Sequence, residues 1–121
     1  MEPMRLADEG AVAGVTSWLT DAVRAEFEDR GLWTDETWIQ FLLSNTQREP
    51  DAVSVVDERG VLSRREVLEH ARRIAHYMYS CGVRPGDVVT LVLPNWSEFV
   101  TVHAAIGLLG CVVNPLLPKS G

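Results

Sequence analysis

Val88 to Leu93 carries a single polar side chain, Thr90, and no other stretch of the chain restricts the fold as strongly. A short, continuous, β-branched apolar run of this kind suits a strand buried on both faces, as in parallel sheets. Before it lies Gly82-Val83-Arg84-Pro85-Gly86-Asp87, which reads as a helix stop and a proline turn. After it, Asn95 with Glu98 three residues on marks a helix start, with Asn95 the expected cap and Ser97 the alternative. From Phe99 to Leu109 the sequence is apolar nearly all round, which predicts a buried helix rather than an amphipathic one. Gly110 closes that helix, and Cys111 to Val113 begins a second strand that Asn114-Pro115 should break. Strand, helix and strand at this spacing make a βαβ unit, with a right-handed crossover expected.

Upstream, Ala52 to Asp57 is a short β-branched run, and Glu58-Arg59-Gly60 turns it into Val61 and Leu62, a small hairpin. Ser63 and Glu66 form a capping box, so a helix should start at Arg64. Val67, Ala71, Ile74 and Met78 line one stripe of it, widened by Leu68 and Ala75, and Glu69 stands four residues before Arg73 as a surface pair. Two helical arms come first. Trp18, Leu19, Ala22, Val23 and Phe27 recur at helical spacing, with Thr16 as cap and Gly31 as stop. The second arm should begin after Thr34 or Asp35, carry Trp38, Phe41 and Leu42 on one face, and end before Pro50. The fold class is therefore α/β, with helical arms over 1–49 and an α/β segment over 50–121.

At 121 residues the chain is long enough for one modest core, and 46% hydrophobic with 23% charged residues is ordinary for a globular protein. A net charge of −6 argues against nucleic acid or an anionic membrane as the main partner. The acids concentrate early: residues 1–60 hold 13 acids and 5 bases, residues 61–121 hold 4 acids and 6 bases. Arg64, Arg65, Arg72 and Arg73 fall in one helix and read as a solvated face before they read as a binding patch. Cys81 and Cys111 lie far apart in no Cys-x-x-Cys arrangement, which makes a reduced, cytoplasmic protein the default. Met1 to Gly10 holds Glu2, Asp8 and Glu9 and lacks the apolar core of a secretory signal. The apolar stretch over 99–117 is interrupted by Thr101, His103, Gly107, Gly110, Asn114 and Pro115, so no membrane span is expected.

The chemistry-bearing side chains do not assemble into an active site. The Gly82–Asp87 loop leads from a helix into the amino end of a strand, whereas ligands of parallel sheets bind beyond the carboxyl ends. Pro94-Asn95-Trp96-Ser97-Glu98 lies on the correct side, yet capping accounts for Asn95 and Glu98, and Trp96 can simply cover the sheet edge. His70, His76 and His103 have no metal-ligand spacing, and His103 reads as a hydrogen-bonded core histidine rather than a base. The serines form no nucleophile elbow, and Lys119-Ser120-Gly121 has no glycine-rich run around it. The expected catalytic, cofactor-binding and metal residues are none.

Several segments, in order, resemble the AMP-forming acyl-CoA synthetase and aryl-acid adenylating family. Gly31-Leu32-Trp33 is similar to that family's Gly-x-Trp, and Pro50-Asp51-Ala52-Val53-Ser54-Val55 to its proline, aspartate and apolar strand. Leu62-Ser63-Arg64-Arg65-Glu66-Val67 takes the place of its Leu-Thr-Tyr-x-Glu-Leu, with Arg64-Arg65 departing from the common tyrosine. Gly82-Val83-x-Pro85-Gly86-Asp87 and Leu93-Pro94-Asn95-x-x-Glu98-Phe99 are the most specific matches, and Gly110 to Pro115 resembles the Gly-Ala-x-x-x-Pro that follows. The resemblance implies an incomplete part of a larger adenylation domain. It further implies a ligase that activates a carboxylic acid with ATP and Mg²⁺ and passes the acyl group to coenzyme A or a carrier thiol.

In that family the phosphate loop, the nucleotide contacts and the adenylation lysine lie further along the chain. No catalytic residue therefore carries over, and this chain is expected to bind none of these cofactors and to be inactive by itself. Alkyl, alicyclic and aryl acids all stay open. Its expected partners are the rest of a ligase chain and, through an unpaired apolar sheet edge, other copies of itself. A non-catalytic α/β interaction module and a small nucleotide binder built on the Asn95 helix start are the alternatives.

Overall fold

The computed structural model describes residues 20–119. They divide at Asp35/Glu36 into two compact units. In the first, α1 (Asp21–Asp29) is capped by Thr20, whose hydroxyl accepts from the Val23 amide, and Gly31, at φ 65°, turns the chain out of it. Thr16, Trp18 and Leu19 lie outside the described residues.

The second unit begins with α2 (Trp38–Arg48). This helix starts later than Thr34 or Asp35 because Thr37 and Gln40 complete a reciprocal capping box, which neither earlier residue can form: Thr37 N–H donates to Gln40 Oε1 at 2.7 Å. It ends at Glu49, just before Pro50. The hairpin follows as β1 (Val53–Asp57) and β2 (Gly60–Ser63), antiparallel with a register shift between Val53 and Val55. Ser63 and Glu66 form the expected box at the start of α3 (Arg64–Ser80). That bond, with the Ser63 hydroxyl, holds the Glu66 carboxyl below its ordinary value. Arg64 ties this helix start to the end of α2 through Glu49 (2.8 Å) and the Asn45 carbonyl (3.3 Å), and Arg65 pairs with Asp51 (2.9 Å). Half of the arginine cluster thus serves structure. Glu69 and Arg73 are both exposed and form no pair, as is common where water competes for both charges.

β3 (Val88–Val92), α4 (Ser97–Leu108) and β4 (Val112–Leu116) make the βαβ unit, and the two strands pair in parallel. The core is a seam of small residues between α3 and α4. Ala71, Ala75, Ala104 and Ala105 are buried there, and Leu42, Ile74, Met78, Leu108 and Leu109 pack around them. Gly107 lets α2 approach as well, since a Cβ there would sit 3.0 Å from Trp38 Cζ2. α4 touches α2, α3, β1, β3 and β4, which is why its sequence is apolar all round.

Two expectations fail in the sheet. β3 is not buried on both faces: Leu91 is 4% exposed, but Val88 and Val92 are 66% and 53% exposed, because α4 covers only one face. Pro115 does not break β4, which continues to Leu116. The Val112 amide donates to the Asp87 carbonyl at 2.8 Å, so 112, 114 and 116 face β3 and Pro115 faces the outer edge, where no amide is needed.

Overpacking the seam should be costly. Ala104→Leu is expected to destabilise the chain by about 1–3 kcal/mol in urea unfolding, whereas Arg72→Leu, on the exposed side of α3, should change stability by less than about 0.5 kcal/mol.

Candidate functional site

Beyond the carboxyl ends of β3 and β4 a cleft of about 570 Å³ opens, lined by Leu93, Pro94, Asn95, Phe99, Pro115, Leu116, Leu117 and Pro118. This is the side on which parallel α/β sheets receive ligands. The lining is apolar except for the Asn95 carboxamide, so the cleft can hold an apolar group and offer it one amide.

One wall is the turn from β3 into α4, and residues distant in sequence hold it. The Asp57 carboxylate, at the end of β1, accepts from the Ser97 amide (2.9 Å) and from the Arg59 amide (2.8 Å). These hydrogen bonds, the Ser97 one foremost, hold the Asp57 carboxyl below its ordinary value. The Arg59 guanidinium pairs with Glu98 and lies 4.1 Å from the Trp96 ring centroid. The hairpin turn therefore clasps the first turn of α4.

The expected capping role of Asn95 is overturned. Trp96 occupies the cap position, no side chain of the helix's own start caps it, and Ser97 is not the alternative cap either. Asp57 caps the helix from forty residues away, leaving Asn95 exposed at the cleft. The same clasp closes this helix start to phosphate. Its first amide is taken, and the Asp57 and Glu98 carboxylates stand where an anion would have to sit.

The Gly82–Asp87 loop lies exposed at the amino end of β3, with its polar groups bonded within the protein. Asp87 accepts from the Arg84 amide at 2.7 Å, and the Gly86 amide donates to the Gly110 carbonyl at 2.9 Å. Cys111 donates to the Arg84 carbonyl, and burial pushes its thiol upward. His103 is no hydrogen-bonded core histidine; its ring lies 4.6 Å from that of Trp38 and 6.0 Å from that of Phe99, filling the space between α4 and α2. His70 and His76 lie on α3. Among the described residues no group of His, Cys, Asp and Glu is arranged to hold a metal, and no helix is long and apolar enough to cross a membrane. Lys119 is exposed, and Ser120 and Gly121 lie outside the described residues.

Asp57 and Arg59 are the residues that sequence reasoning missed. Their segment reads as a hairpin turn, and nothing in one dimension marks a cap donated across forty positions.

Residues 42–121 match the family of AMP-binding enzymes. The chain belongs to that family. It is similar to the medium-chain fatty-acid–CoA ligase of Escherichia coli, at 32% identity over 87% of this chain and 19% of the relative. It is also similar to the salicyl-AMP ligase / salicyl-S-ArCP synthetase of Mycobacterium tuberculosis, at 29% identity over 94% of this chain and 21% of the relative. The apo structure of Mycobacterium smegmatis MbtA aligns over 79% of this chain and 18% of its own, with a TM-score of 0.70 and 28% identity. The match is to the N-terminal part of these ligases, and this chain spans about a fifth of the length of its curated relatives. The cleft does not fit a magnesium-bound triphosphate, since its lining has neither cation nor carboxylate and the adjoining helix start is acidic.

The clasp has a pH signature. Because the folded Asp57 carboxyl titrates below its ordinary value of 3.8, its contribution is complete above that value and disappears as pH falls through the lower, folded value. Asp57→Asn should lower the melting temperature at pH 7, and its gap to the parent chain should close in strong acid. Asn95→Ala should shift stability by less than about 0.5 kcal/mol at any pH; a loss near 1 kcal/mol would restore Asn95 as the cap.

Proposed function

We propose that this chain supplies the opening scaffold of an AMP-forming carboxylate–CoA ligase, the intact form of which makes an acyl-adenylate with ATP and Mg²⁺ and then a thioester. The observation that carries this reading is the family match over 42–121, which takes in α3 and the whole βαβ unit. The names of the relatives add to it: a fatty-acid–CoA ligase and a salicyl-AMP ligase. Within the reading, residues 50–121 begin the large adenylation domain and 1–49 are its helical approach. The protein works in the cytoplasm, and its main partner is the rest of the ligase.

The residues of this chain act by positioning. Asp57 and Arg59 hold the α4 start, the alanine seam fixes α4 against α3, and the strand ends form an apolar wall against which the remainder of a ligase packs. The nucleotide and acid sites are supplied by the rest of that ligase, so the isolated chain is inactive.

Two measurements test this. The purified chain, given ATP, Mg²⁺ and a panel of alkyl and aryl acids, should release pyrophosphate at background rate; acid-dependent release would refute the scaffold role. When residues 42–119 replace the matching segment of the Escherichia coli medium-chain ligase, the folded chimera should retain thioester formation. A folded chimera without any activity would count against membership of a working ligase.

A further inference from the structure

We draw no further inference here: the strongest candidate, the groove of about 510 Å³ between α2 and α3 lined by Leu43, Leu68, Gln40, Gln47 and Arg72, carries none, because its polar side chains are exposed and nothing in the structure shows what covers it.

Discussion

The close contact of α3 with α4 is the constraint on which the rest of the second unit hangs. Ala71 and Ala75 face Ala104 and Ala105, and none of the four has a side chain long enough to hold the helices apart. Alanines bury little area, so their contribution is mainly geometric: they set a short distance, and the larger Ile74, Met78, Leu108 and Leu109 then close around the seam. One side of α4 is thereby committed to α3, and others meet the β3–β4 pair and α2. A helix contacted from so many directions has no solvent face to make polar, which accounts for the sequence of Phe99 to Leu109 better than any functional reading of it.

The two small sheets share no hydrogen-bonded strand, so something other than a ladder must relate the hairpin to the βαβ unit. α3 and α4 do part of this by packing on β1. The Asp57 and Arg59 clasp does the rest with charge. A carboxylate at a helix N-terminus gains from the unpaired amides and from the helix dipole together, and Arg59 adds a cation between Trp96 and Glu98. Exposed ion pairs are usually worth little in isolation. What gives this one consequence is convergence, because two residues of one tight turn both grip the first turn of α4.

Much of this was legible from local signals. Capping boxes, glycine stops and apolar periodicity are short-range grammar, and they place α3, the hairpin, β3 and α4 within a residue or two. The start of α2 is written in Thr37 and Gln40, a complete box that stands three residues beyond Thr34. What stayed hidden is non-local. An apolar run shows that a strand wants covering on both faces, but whether both are covered depends on which elements fold over it, and β3 keeps one face open. Proline reads as a strand breaker until the hydrogen-bonding phase of its strand is known. Asn95 looked like a cap because the true cap, Asp57, belongs to another element. The cleft itself could be placed by topology alone, since the carboxyl ends of parallel strands were already implied by the βαβ pattern, but its lining could not.

A helix start directly after a parallel strand is the usual anion site of α/β proteins, because free amides and the dipole both point at the ligand. Here that site is filled by the protein's own carboxylate, and a second carboxylate stands beside it. Phosphate at that amide would have to displace Asp57, which would remove one of the two grips of the hairpin on α4. The helix start is thus used for cohesion, and the reading as a small nucleotide binder loses the one feature it stood on. The cleft beside it is apolar for a consistent reason: Leu93, Phe99 and Leu116 offer a surface for packing. Within residues 20–119 the intrinsic binding capacity of the βαβ unit goes into holding the scaffold together.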